Sequence, residues 1–406
     1  MMFLNFRVSN FRSINETAEL SMIPSDLKNP ANIFMKINHN ATKNKDYYAL
    51  TSAAIYGPNA SGKSNIIKAL REFVDYIKSS TDNKPNDPIL LFNPFKLNNA
   101  NIKIPSLFSI DMVIDNILYT YSIEVVRDEI IKESLYFFPK GISVKIFERK
   151  KQQFNKGNGY EGIFEVIKQR TNENQLFLGK AASENVEIIK RFYQKILSIN
   201  IYTTELFHSH SFNKLFSNLV FKFNEKGTSL IKSLIKKLDT QVVDFEERDD
   251  VIKTFHLDNK MQKIEFDFEE ESSGTQRLVS FIPLVLLALR TGSVIVVDEF
   301  ERSLHPDIAQ YILGFFNDLE VNKFGAQFIF ATHDVTLLSL ENNLRRDQIN
   351  LVEKNEKGET ELYSVSDIKG IREGNFEKWY LEGRLGGLPN IAKETFRDEL
   401  IDFINS

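Results

Sequence analysis

The feature that most constrains this chain is the run Gly57-Pro-Asn-Ala-Ser-Gly-Lys-Ser64. It fills every position of the phosphate-binding pattern G-x-x-x-x-G-K-[S/T]. The apolar stretch Ala53-Ala-Ile-Tyr56 precedes it, and an apolar-periodic run to about Lys78 follows. A short buried strand, a glycine-rich loop and a helix are expected in that order. The glycines let the backbone wrap so that amide N–H groups across Asn59, Ala60, Ser61, Gly62, Lys63, Ser64 and Asn65 point at phosphate oxygens. The helix that follows adds its positive N-terminal end. In this pattern Lys63 reaches the β- and γ-phosphates and the Ser64 hydroxyl ligates Mg²⁺.

Two further strand ends carry chemistry. Val294-Ile-Val-Val-Asp298-Glu299 is an apolar strand that ends in two carboxylates. Downstream of a phosphate loop, Asp298 fits the Mg²⁺ shell, and Glu299 fits the base or water-orienting group for attack on a γ-phosphate. Gln327 to Ala331 is a second apolar strand, ending in Thr332-His333-Asp334, where His333 can hydrogen-bond the γ-phosphate. Functional groups at strand C-terminal ends, with strands alternating with helices, predict an α/β fold with a mostly parallel sheet.

Elsewhere the pattern changes. Phe3 to Leu20 alternates like one or two strands, and Pro24 to about Tyr47 reads as an irregular connection. Phe108 to Leu135 alternates strongly, so two or three antiparallel strands are expected there. Ser143 to Phe154 and Gly162 to Val166 can continue that β region. Helical spacing appears at Val186, Ile189, Phe192, Tyr193, Ile196 and Leu197, and again from Leu230 to Val242. A strand at Ile264 to Phe268 leads into Glu271-Ser-Ser-Gly-Thr-Gln276 and an apolar helix containing Pro283. These changes divide the chain into an N-terminal part with the phosphate loop (1–140), a mixed, largely helical insertion (141–260) and a C-terminal part with the two carboxylate- and histidine-bearing strand ends (261–406).

Composition excludes more than it selects. The chain has no Cys, which rules out disulfides, thiolate zinc sites and Cys nucleophiles and agrees with a cytoplasmic setting. The N-terminus lacks a signal-peptide layout, and the apolar run Leu278 to Leu289 is too short to span a bilayer, so no membrane role is expected. A net charge of −4 gives no global attraction to nucleic acid. The 34 Phe residues are spread along the chain and are expected to form core.

Together the motifs resemble ABC-type ATPases. Glu271-Ser-Ser-Gly-Thr-Gln276 looks like their signature loop, Ser303-Leu-His-Pro306 their D-loop region, and His333 their switch histidine. The opening Val8-Ser-Asn-Phe-Arg-Ser13 is similar to the start of RecF-like and SMC-like heads, where the positions of Arg12 and Ser13 lie near the nucleotide. With the tail Trp379 to Pro389, the chain resembles the stand-alone bacterial ABC-type ATPases grouped as AAA-15/AAA-21, which include ATPase subunits of abortive-infection and PARIS-like anti-phage systems. The resemblance implies a head-to-tail homodimer around two ATP molecules, with Ser273 and Gly274 of one protomer capping the γ-phosphate held by Lys63 of the other. It further implies a separate effector, a nuclease or toxin, because the short stretch after Asp334 has no strand-end Asp-x-Asp of a fused nuclease.

Other readings make different demands. A RecF-like or SMC-like repair factor would bind DNA with strong salt dependence. A transporter nucleotide-binding domain fits the large insertion poorly, and a non-hydrolysing scaffold does not need Glu299 and His333. The glutamine that joins Mg²⁺ to the helical lobe in ABC heads has no counterpart between Leu91 and Ser134, and Gln152, Gln153 and Gln175 are the nearby alternatives.

Overall fold

The computed structural model describes residues 1–28, 31–36, 46–203, 223–238, 241–248, 251–372, 374–388 and 393–406. Its strands begin with β1 (Met2–Ser9), β2 (Ala18–Ser21), β3 (Ile33–Lys36), β4 (Tyr47–Leu50), β5 (Ser52–Tyr56) and β6 (Ser106–Ile114). There follow β7 (Ile117–Val125), β8 (Ile130–Phe137), β9 (Val144–Lys150), β10 (Gln153–Lys156), β11 (Asn200–Tyr202) and β12 (Asp244–Arg248). The last are β13 (Val251–Leu257), β14 (Lys263–Asp267), β15 (Val294–Val297), β16 (Gln327–Ala331), β17 (Ile349–Lys354) and β18 (Thr360–Ser364). The helices used below are α1 (Lys63–Ser79), α2 (Phe164–Gln169), α3 (Phe177–Ser183), α4 (Glu187–Ile196), α5 (Glu225–Lys237), α6 (Ser273–Thr291), α7 (Pro306–Asn317) and α8 (Phe376–Leu381).

The sheet that matters for function runs β11-β15-β16-β5-β17-β18, parallel except for its last pair. Its middle strands β5, β15 and β16 are buried at every residue, as expected where both faces of a parallel sheet are covered. On one face α1 inserts Ile66, Ile67, Leu70, Phe73 and Ile77 between this sheet and a second one. That second sheet, β10-β9-β8-β7-β6-β1-β2, is antiparallel throughout. On the opposite face α6 and α7 bury Phe281, Ile282, Val285, Ile312 and Phe316 against Ile295, Val297, Phe328 and Phe330.

Most of the described Phe residues are core, as expected, while Phe266, Phe324 and Phe403 are exposed. Phe328 stacks on Phe330 and Phe316 at ring separations of 4.7 and 4.8 Å, with Phe300 edge-on at 4.9 Å. A second group, Phe147, Phe154 and Phe164 around Phe177, closes the far end of the antiparallel sheet.

Several expectations need correction. The stretch after Pro24 contains β3, paired with β4, and is not wholly irregular. Residues 37–45 within it lie outside the described residues. Gly162 to Val166 does not extend the sheet, because α2 begins at Phe164. The second helical stripe ends at Lys237, short of Val242. The strand before the signature, β14, joins β12 and β13 in a separate antiparallel sheet. The antiparallel sheet runs on past residue 140 to Lys156, and β11 joins the parallel sheet. α6 continues through Pro283, whose ring lies among buried neighbours. Among the described residues no helix is long and apolar enough to cross a membrane.

Candidate nucleotide site

Parallel register places three strand ends side by side. Ile55 of β5 lies opposite Ala331 of β16, and Phe330 lies opposite Val297 of β15. The residues that follow, Gly57, Asp298 and Thr332, therefore emerge on one edge. A cleft of about 250 Å³ forms there, lined by Asn59 to Asn65, Asp298, Glu299, Ala331, Thr332 and His333. Lys63, Ser64 and the three downstream groups, expected from separate motifs, share this one cleft.

Two glycines are required by close approach. A Cβ at Gly57 would lie 2.2 Å from the Val352 carbonyl oxygen, and one at Gly62 2.3 Å from Thr360 Oγ1. Gly62 also has φ +116°, a conformation side chains rarely adopt, and it starts α1. Lys63 is 7% exposed, and its Nζ donates to the carbonyl oxygens of Gly57 (2.7 Å) and Pro58 (3.1 Å). Burial lowers its pKa to about 8, against the opposing pull of Asp298, Glu301 and Glu299.

Asp298 is buried at the end of β15, and its N–H donates to Tyr202 of β11. Burial raises its carboxyl pKa, and Glu299 adds to the rise, while a hydrogen bond from Ser64 and the charge of Lys68 lower it. The Ser64 hydroxyl and the Asp298 carboxylate are hard oxygen donors already in contact, and they fit Mg²⁺. Glu299 sits in the left-handed region at φ +50°. Its carboxylate pairs with Arg302 at 3.0 Å, and its carbonyl accepts from Arg277 at 3.3 Å. His333 is exposed at the cleft mouth; desolvation and the Lys63 charge lower its pKa, so the neutral ring dominates at neutral pH.

The remaining expected residues lie elsewhere. Arg12 does not line the cleft: its guanidinium is held at 2.6 Å by Glu72 of α1. Ser13 stands behind the loop, where its Oγ accepts from Asn65 at 2.6 Å and lies 2.8 Å from Thr360 Oγ1. Thr360 Oγ1 donates to the Ser61 carbonyl, also at 2.8 Å, so Ser13 and Thr360 together brace the loop. Ser273 and Gly274 form the first turn of α6 and do not line the cleft of their own chain. Ser273 is exposed, and the Ser272 side chain caps the helix through Thr275 N at 3.1 Å.

None of the candidate glutamines reaches the site. Gln175 is buried, donating to the Thr81 and Asn83 carbonyls, while Gln153 is exposed on β10 and Gln152 borders a separate hollow with Asn172. The backbone beside Asp298 is instead the end of β11, where buried Thr203 accepts from Arg71 at 2.6 Å. Sequence reasoning also missed Glu301. Its Oε1 accepts from the His333 N–H at 2.6 Å and ties the turn after Glu299 to the switch loop. The signal was present: a third carboxylate in Asp298-Glu-Phe-Glu301, two residues past the expected base.

Three solved structures are similar to this chain at low identity. The SMC head domain from Thermotoga maritima is 15% identical with a TM-score of 0.40, covering 90% of this chain and 99% of that one. An Smc head bound to the C-winged helix domain of ScpA is 13% identical with a TM-score of 0.48, covering 90% and 97%. An Smc head with an extended coiled coil, bound to the C-terminal domain of ScpA derived from Pyrococcus furiosus, is 13% identical with a TM-score of 0.42, covering 89% and 96%. No curated protein matches the sequence. A family model described as "AAA domain, putative AbiEii toxin, Type IV TA system" matches residues 52–339. That span is more than half of the chain and runs from the strand before the phosphate loop to just beyond His333; the chain is a member of this P-loop family.

Proposed function

We propose that this chain is an ATP-hydrolysing switch that dimerises head to tail around ATP and controls a separate effector protein. The observation that carries the reading is how the machinery is divided. Lys63, Ser64, Asp298, Glu299 and His333 line one cleft, whereas Ser273 and Gly274 stand outside it at the exposed start of a 19-residue helix. A helix start with a free hydroxyl and free N–H groups favours an anion. The anion it suits is a γ-phosphate held by another copy.

Within the cleft each group has a task. Lys63 and the loop N–H groups hold the β- and γ-phosphates, and Ser64 and Asp298 hold Mg²⁺. Held by these two residues, Mg²⁺ would supply neutralisation of the phosphate charge. Glu299, released from Arg302, orients the attacking water and takes its proton. Neutral His333 hydrogen-bonds the γ-phosphate, and Glu301 fixes the backbone that carries it. The family resemblance favours an abortive-infection or other anti-phage setting, with a toxin or nuclease as the controlled protein.

Phosphate release by wild type and Glu299→Gln tests the enzymatic part. A loss of about 10²- to 10⁴-fold is expected for removal of a general base. Equal rates in the two proteins would overturn the hydrolytic role.

A further inference from the structure

The exposed signature is not held by its own helix cap alone. Glu271, the residue before Ser272, turns its carboxylate back into the small sheet of β12, β13 and β14. Its Oε1 accepts from Thr254 Oγ1 and lies 2.7 Å from His256 Nε2, both on β13. Residues two apart on a strand share a face, which is how two donors converge on one oxygen. Thr254 is fully buried and the Glu271 side chain is 6% exposed. A carboxylate withdrawn from water to this degree is stable only where its lone pairs are met, so the contact fixes the loop. The main chain is pinned too: Gln276 Nε2 donates to the Glu271 carbonyl at 2.9 Å.

The sheet packs against the helix that precedes it in the chain. Phe245 of β12 and Ile252 of β13 share a core with Ile231 and Ile235 of α5. The Glu271 carboxylate thus links β13 to the turn that leads into Ser273 and Gly274, beside the direct chain connection from β14.

We propose that Glu271 is the positioning residue for the signature, and that the three-stranded sheet sets how Ser273 and Gly274 are presented to the nucleotide of a second copy. This rests on the dimer reading above. Glu271 does not line the cleft of its own chain, so its effect falls on assembly and not on the binding of ATP by a monomer.

The test uses the full chain in the Glu299→Gln background, with ATP and Mg²⁺, and reads dimer fraction against protein concentration. Adding Glu271→Ala is expected to raise the midpoint concentration about tenfold or more. Affinity of dilute monomer for a fluorescent ATP analogue stays within about twofold of the parent, since the two sites are separate. Glu271→Gln keeps an acceptor oxygen and restores most of the midpoint. Thr254→Val, a milder change of the same contact, shifts the midpoint in the same direction should Glu271→Ala fold poorly. A dimeric parent with an unchanged midpoint in Glu271→Ala and Thr254→Val overturns this proposal alone, as does an equal loss of monomer affinity. A parent that stays monomeric in ATP overturns the dimer reading and this proposal with it.

Discussion

The nucleotide cleft and the signature face of this protein are built on opposite principles. The cleft is convergent: three neighbouring parallel strands deliver the phosphate loop, Asp298 and Thr332-His333 to one edge. Its key lysine is buried and internally bonded, and its loop is braced from behind by Ser13 and Thr360. The signature face is divergent. Ser273 is exposed, and the segment before it leans on a small three-stranded sheet separate from the parallel one. One region gathers its groups within a single chain, and in the proposed dimer the other meets the nucleotide of a second copy. In the proposed dimer, changes inside the cleft fall on ATP binding, and changes at the exposed helix start fall on assembly.

The largest expected effect breaks the cleft without touching the signature. Lys63→Ala removes the one buried ammonium that lines it and should weaken ATP binding by about 100-fold or more, given the strength of charge-assisted phosphate contacts. Titration calorimetry with ATP and Mg²⁺ checks this, and affinity within a few-fold of wild type would contradict the assignment. Next comes the core that holds the strand ends. Phe328→Ala empties the centre of a stacked aromatic group and should cost about 3–5 kcal/mol in chemical denaturation. Ser273→Ala on the exposed face should change stability by less than about 0.5 kcal/mol. Similar costs at the two positions would erase the comparison.

A smaller effect is a pH dependence confined to the cleft. Burial holds the free Lys63 ammonium at about 8, and bound phosphate favours its charged form. ATP affinity is therefore constant below that pH and falls above it, with a slope approaching about tenfold per pH unit. Fluorescent-nucleotide titrations between pH 6.5 and 9.5 read this slope. A flat wild-type profile would contradict it, and Lys63→Ala should be flat.

Most of the cleft was legible in the sequence because its motifs are local. A phosphate loop, an apolar run ending in Asp298-Glu299 and another ending in Thr332-His333 each carry their chemistry within a few residues. What was not legible depends on pairing across long sequence distances. Arg12 was expected at the nucleotide, but Glu72 captures it, a partner that only the packing of α1 against the N-terminal loop reveals. The placement of β11 beside Asp298 comes from a three-residue strand too short to leave a periodic signal. The Thr254–His256–Glu271 contact joins the signature loop to β13, a strand inside the stretch read as a mixed, largely helical insertion.

Mixing two defective variants tests whether each active site is shared between two copies. Lys63→Ala keeps the signature and loses the loop, while Ser273→Glu keeps the loop and puts a carboxylate where phosphate must be received. Each alone should be inactive. Mixed in equal amounts, half of the dimers are hybrids with one intact site, so turnover should recover to roughly a quarter of wild type. A mixture as inactive as its two components would contradict a shared site.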